Sequence, residues 1–179
     1  MELSETSQVA GKLAAVVLLV ALNAFFVAAE FALVGARRTR LEEMALRGDR
    51  KAALAQRAQK SLDRYISATQ LGITLTSLGL GWIGEPALAG LIQSALGWLP
   101  GTLQAVASHG IAIAIAFTII TALHIILGEL VPKALALLHP ERVSAWVAGP
   151  LIGFAWVMAL PIAVLNGTSN RLLRLMGID

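Results

Sequence analysis

The fold class this sequence predicts is an all-α integral membrane protein: three transmembrane helices, short surface helices and a cytoplasmic juxtamembrane helical belt. Three observations predict it. The chain is 57% hydrophobic and 14% charged, against roughly 45–50% apolar and about 25% charged in soluble domains. Apolar runs at 9–35, 65–83 and 109–135 each approach or exceed the roughly 20 residues that cross hydrocarbon as a helix. Charge is segregated, since Arg37, Arg38, Arg40, Arg47, Arg50, Lys51, Arg57, Lys60 and Arg64 crowd into 36–64. Its 179 residues suit one small bundle spanning 1–179, with no room for a second folded domain.

The net charge of +3 and pI near 9.8 raise the question of nucleic acid. The distribution argues against it, because the basic residues flank apolar segments as topology determinants do. There is no cysteine, so thiolate metal sites, disulfides and thiol catalysis are excluded. The N-terminus opens acidic at Glu2 and Glu5, and its apolar run is too long for the core of a cleaved signal peptide.

The first span, 9–35, is interrupted only by Lys12, Asn23 and Glu30. Segment 36–64 places Leu41, Met44, Ala45, Leu54 and Ala58 at approximately helical spacing, which predicts an amphipathic helix or helix pair on the membrane surface. The second span, 65–83, is shorter and more polar. Leu80-Gly81-Trp82-Ile83-Gly84-Glu85-Pro86 should break it, leaving a short helix at 86–98 that ends at Trp98-Leu99-Pro100-Gly101. Trp82 and Trp98 fit an interfacial belt. The third span is 109–135. Hydropathy alone makes 143–165 a fourth, but Pro150 and Pro161 interrupt it, and Arg171 and Arg174 follow. The positive-inside bias puts 36–64 in the cytoplasm and 84–109, free of Lys and Arg, outside. A fourth span would export Arg171 and Arg174, so the expectation is a kinked juxtamembrane pair over 140–176 on the inner face. The N-terminus is then outside and the C-terminus cytoplasmic.

Glu129 is the residue that most needs a reason. An ionised carboxylate in hydrocarbon costs at least about 2.5 kcal/mol and marks a functional site by default. Pro132 has no N–H, so it cannot bond the carbonyl four residues back, that of Gly128. A freed carbonyl beside a carboxylate suits a hard cation. The alternative is an ion pair with Lys133, the i+4 neighbour. Thr118 lies eleven residues before Glu129, almost above it on one face. Asn23 and Glu30 share a face of the first span; Glu30 is close enough to the basic 37–40 cluster to snorkel or pair there. In the second span Ser67, Gln70, Thr74 and Ser77 fall on one face, with Thr69 and Thr76 extending the polarity. Self-bonded hydroxyls or interhelical glue explain such residues equally well, and His124 reads as a packing residue. Each span thus offers an oxygen donor: Asn23, Ser67 with its neighbours, and Glu129 with the Gly128 carbonyl. Oxygen without sulfur or an imidazole cluster selects Mg²⁺, Ca²⁺, Mn²⁺ or Na⁺ over zinc or copper.

Three ordered segments resemble the transmembrane domain of the CorC/CNNM family of magnesium transporters, over essentially the whole chain. They are Asn23-Ala24-Phe25-Phe26-Val27-Ala28-Ala29-Glu30-Phe31-Ala32-Leu33, then Gln70-Leu71-Gly72-Ile73-Thr74-Leu75 running to Gly81-Trp82-Ile83-Gly84-Glu85-Pro86, and Gly128-Glu129-Leu130-Val131-Pro132-Lys133. The resemblance implies a homodimer in the cell membrane, three spans per subunit, and a dehydrated Mg²⁺ held between the spans. As ligands it implies the side chains of Asn23, Ser67 and Glu129 and the carbonyls of Ala28 and Gly128. Proline chemistry supports Gly128 independently; Ala28 rests on the resemblance alone. The family is associated with Mg²⁺ efflux, with Na⁺ as the suggested coupling ion. Its full-length members continue into nucleotide-binding cytoplasmic domains. This chain stops at Asp179, before them, and so looks like a transport domain without its regulatory domains.

The expected function is therefore Mg²⁺ transport by a secondary carrier, not enzymatic catalysis. An intramembrane hydrolase using Ser67 with His124 or His109 lacks a Gly-x-Ser-x-Gly elbow. A non-transporting scaffold or divalent-cation sensor explains the basic belt but not the acid in the third span.

Overall fold

The computed structural model of the protein describes residues 2–95 and 113–177, and among these every regular element is helical. The helices are α1 Glu2–Gly35, α2 Arg38–Leu46, α3 Arg50–Gln59, α4 Leu62–Ala95, α5 Ile113–Leu138, α6 Pro140–Val157 and α7 Ala159–Leu175. Three candidate membrane spans lie in them, Val9–Gly35, Leu62–Ile92 and Ile113–Leu138. The all-α membrane architecture is thus as the composition predicts. Residues 96–101 and 109–112, where an interfacial Trp98 and the start of the third span are expected, lie outside the described residues. The chain divides into two compact units, Met1–Ala24 with Thr74–Val131, and Phe25–Ile73 with Pro132–Asp179.

In the first unit the expected break at 80–86 does not occur. The α4 helix runs through Pro86, because in lipid every backbone group needs an intrahelical partner and helices tolerate an internal proline there. Gly84 serves packing instead of punctuation. It is buried, and a Cβ added there would stand 2.9 Å from Ile120 Cδ1 and 3.4 Å from Val16 Cγ2.

The second unit holds the surface belt. Gly48 has φ +95° and closes α2: its N–H bonds Ala45 O at 3.0 Å, and the Asp49 N–H bonds Met44 O at 3.1 Å. This pair of bonds is a Schellman stop, which favours glycine at the left-handed position. Asp49 then caps α3, its carboxylate accepting from the N–H of Lys51 and Ala52 at 2.9 and 3.1 Å. An alanine-rich seam of Ala36, Ala52, Ala55, Ala145 and Ala148 around buried Leu41 lets α3 lie close against α6. Phe26, Ala29 and Leu33 of α1 pack with Val147, Leu151 and Ala155 of α6 and Ile162 of α7. The Gln59 Nε2 donates to Leu33 O at 3.0 Å and Ala36 O at 2.7 Å, taking up carbonyls that the end of α1 leaves free.

The stretch 143–165 is not one straight helix. The α6 and α7 helices meet at 80°, and the turn falls at Met158, not at Pro150, which α6 carries inside it. Pro161 in the first turn of α7 needs no N–H donor, so the chain bends just ahead of it.

Candidate functional site

Among the described residues of the first unit, Asn23 is the most enclosed polar side chain, 1% exposed. Its Nδ2 donates to the Gly128 carbonyl at 3.0 Å. Its Oδ1 accepts from Thr76 Oγ1 at 2.8 Å and from Ser77 Oγ at 3.3 Å. An amide oxygen has two lone pairs, so this acceptor is filled. Ser77 Oγ also lies 3.4 Å from His124 Nε2. One polar knot therefore ties α1, α4 and α5 within this unit. Beside it a cavity of about 200 Å³ is lined by Ser77, Thr121 and His124 and by apolar Leu80, Phe117 and Ile120. At about 30 Å³ per water, it has room for several.

Local chemistry explains how Gly128 comes to serve a side chain. Pro132 cannot donate to it, and the surrounding segment His124–Leu130 is a π-helix, in which the Val131 N–H reaches back to Ile126 O. Such wider turns occur mostly as single-turn insertions in α-helices, frequently at functional sites. The glycine itself is required by the close approach. A Cβ at 128 would stand 2.9 Å from His124 Cδ2 and 3.2 Å from Asn23 Nδ2.

The wider turn also moves Thr118. One extra residue rotates a helix face by about 100°, so the face shared by Thr118 and Glu129 under straight α geometry is lost. Thr118 is exposed and bonds its own Ala114 carbonyl at 2.8 Å. Glu129 follows Gly128 and is exposed on the single chain, flanked by exposed Ile125, Ile126, Leu127 and Leu130. Among the described residues it takes part in no ion pair. Lys133, the expected alternative partner, sets its ammonium 4.5 Å from the centre of the Phe31 ring.

Among the described residues of α4 the buried hydroxyls are Thr69 and Thr76, whereas Gln70 and Thr74 are exposed. The polar face at 67, 70, 74 and 77 is therefore offset from the buried one, and Thr76 is the residue that sequence reasoning under-weighted. Its seven-residue spacing from Thr69 was the available signal. Ala28 and Ser67 belong to the second unit. Ala28 is half-buried in α1. Ser67 Oγ bonds Asp63 O at 2.9 Å and Asn166 Oδ1 at 2.8 Å. Among the described residues Glu30 takes part in no ion pair with the 37–40 cluster, where Arg37 pairs with Glu141 at 3.7 Å and Arg40 with Glu43 at 3.0 Å. Among the described residues no three His, Cys, Asp or Glu side chains gather. A cation held here would rest largely on neutral oxygens.

Residues 13–179 match the CNNM family, described as the cyclin M transmembrane N-terminal domain. The chain is 43% identical over 160 residues to the UPF0053 protein YhdT of Bacillus subtilis, covering 89% of this chain and 34% of that protein. It is 40% identical over 166 residues to YugS of the same organism, covering 93% and 38%. With the UPF0053 protein sll0260 of Synechocystis it shares 38% identity over 161 residues, 89% of this chain and 35% of that one. The chain thus spans about a third of the length of these relatives. A family match over nearly all of the chain, on an all-helical fold with three candidate membrane spans, makes it a CorC/CNNM-family transmembrane domain.

Proposed function

We propose that the chain is the transport domain of a Mg²⁺ carrier and that Asn23, Gly128 and Glu129 handle the cargo ion. Membership of a membrane transporter-type family supports a role in divalent-cation transport; the ion and its site are this proposal's addition. The observation that carries it is the 3.0 Å separation between the Asn23 amide and the Gly128 oxygen. Ligands about 2.1 Å from an octahedral Mg²⁺ lie about 3.0 Å apart along each edge. A half-turn of the amide about χ2 exchanges its N–H for its oxygen. Two neutral oxygens then sit at the spacing of such an edge, with the Glu129 carboxylate next in the chain. Ca²⁺, at about 2.3–2.6 Å, prefers a wider spacing in the same octahedral frame. The further ligands that the resemblance implies, the Ala28 carbonyl and the Ser67 hydroxyl, enter on that resemblance alone.

Mg²⁺ releases water reluctantly, so a membrane site must offer several oxygens together. Glu129 supplies the negative charge that compensates dehydration. Its exposure on a face of isoleucine and leucine also supports a homodimer, since an uncovered carboxylate in hydrocarbon is unfavourable. The same reading places the N-terminus outside the cell membrane and the C-terminus in the cytoplasm, with net transport outward and Na⁺ as the coupling ion. The competing reading is a non-transporting anchor or cation sensor, favoured by the two-thirds of each relative that lies beyond the matched segment. Mg²⁺ flux into dye-loaded liposomes separates the two. The wild-type chain should carry Mg²⁺, and Glu129→Gln should abolish the flux while remaining folded. Undiminished flux by a folded Glu129→Ala protein would overturn the assignment.

A further inference from the structure

In the second unit, the start of α4 and the C-terminal half of α7 line an open surface pocket of about 320 Å³, bounded by Asp63, Ile66, Ser67, Asn166, Ser169 and Asn170. Five of these six side chains carry oxygen and only one is charged, negatively. Asp63 takes part in no ion pair among the described residues, although Lys60 and Arg64 flank it in sequence. Arg64 directs its guanidinium to Ala155 O at 3.4 Å instead. Arg174, on the following turn of α7, is tied to the Asn170 carbonyl at 3.4 Å and is not part of the wall. Ser67 has one hydroxyl hydrogen and two acceptors in reach, Asp63 O at 2.9 Å and Asn166 Oδ1 at 2.8 Å. That hydrogen serves one of them at a time, and the oxygen's lone pairs stay available to a water in the cavity. An acid in the first turn of α4 complements the helix macrodipole. That accounts for Asp63, but not for two amides and a hydroxyl brought to it from a different helix.

We infer that this cavity is a loading station for a divalent cation that still carries its water shell. The inference rests on the carrier reading for the identity of the ion, Mg²⁺, and on the cavity for the rest. Six waters at about 30 Å³ each need roughly 180 Å³, which fits within the 320 Å³ available. Mg²⁺ characteristically keeps several waters and is held through one or two carboxylates. One carboxylate with amide and hydroxyl oxygens matches that mode, contacting the bound waters and leaving the ion hydrated. A single exposed acid also makes the station weak, as a site that must release its ion requires.

Mn²⁺ tests this as a paramagnetic probe on the full chain in lipid nanodiscs. It should broaden the side-chain amide NMR signals of Asn166 and Asn170 in the wild type and equally in Glu129→Gln. Asp63→Asn should weaken the Mn²⁺ affinity read at those signals on the order of fivefold, and Asp63→Glu should retain it. Broadening that is absent at saturating Mn²⁺, or that Asp63→Asn leaves unchanged, overturns the station. The readout is binding at α7, so it separates from flux. Broadening that persists while the wild type moves no Mg²⁺ would sink the carrier reading yet uphold a cation site here.

Discussion

Replacing Gly128 by alanine is the sharpest test of the polar knot around Asn23. In an exposed helix interior the same exchange is favourable by about 1 kcal/mol, because glycine loses more backbone freedom. Gly81 on α4 provides that reference, since a Cβ there meets nothing within 4 Å. At position 128 the new methyl would stand 2.9 Å from His124 Cδ2 and 3.2 Å from Asn23 Nδ2. The imidazole can yield only by leaving Ser77. Asn23 can yield only by stretching its bond to Gly128 O, because Thr76 and Ser77 hold its other end. Overpacking of this kind costs about 1–3 kcal/mol, and a weakened buried hydrogen bond about 0.6 kcal/mol more in a membrane protein. Against the propensity gain, the net expectation is a loss of about 1–2 kcal/mol. Gly81→Ala should be neutral to stabilising. Unfolding in mixed micelles, followed by circular dichroism across an SDS titration, reads both. Mg²⁺ flux by Gly128→Ala should also fall at least about tenfold, the equivalent of 1.4 kcal/mol. If Gly128→Ala matches Gly81→Ala in stability and transports normally, the close approach at 128 has no energetic or functional weight, and the reasoning is wrong.

Two further substitutions probe the second unit by the same unfolding assay. Gly72→Ala would place a Cβ 2.6 Å from Phe26 ring atoms. That ring is held edge-on to Phe25 at 5.2 Å and tilted against Phe154 at 4.7 Å, so a loss of about 1–3 kcal/mol is expected; a stabilised variant would show that the ring is free to move. Gln59→Leu removes both donors from the α1 end carbonyls together with a buried Oε1 that has no partner of its own. The two lost bonds outweigh the relieved acceptor, giving a net loss of about 1 kcal/mol; unchanged stability would mean that water caps α1 equally well.

Much of the fold was legible because lipid imposes one rule on every span: long apolar runs separated by clustered arginines. The Gly128 carbonyl was legible too, since proline chemistry four residues away is purely local. What occupies that carbonyl was not, because Asn23 lies 105 positions distant. The π turn escaped for a different reason. Counting faces at 3.6 residues per turn assumes the period throughout, so Thr118 seemed to overlie Glu129. Gly84 and Pro86 misled in the second span because they punctuate helices in water, where a broken turn can bond solvent. Thr76 counts in the sequence only as an extension of the polar face at 67, 70, 74 and 77, although burial selects the smaller group that fits. Ser67 shares its cavity with Asn166, which lies just past the apolar stretch 143–165 and 99 positions away in the chain, so no local pattern pairs them.

If the chain is the carrier proposed above, the hydrogen bond from the Asn23 amide to Gly128 O has a consequence for turnover. A carrier that binds its passenger too well stalls, and so does one whose vacant form is much higher in energy than its occupied form. A helix oxygen with no N–H of its own would raise the vacant form, were nothing to cover it. Here a neighbouring side chain lends a proton to that oxygen and, by rotating, can withdraw it when a metal arrives. On the proposed carrier reading, vacant and occupied states would stay near one another in free energy, and the return half of the cycle would not be slowed.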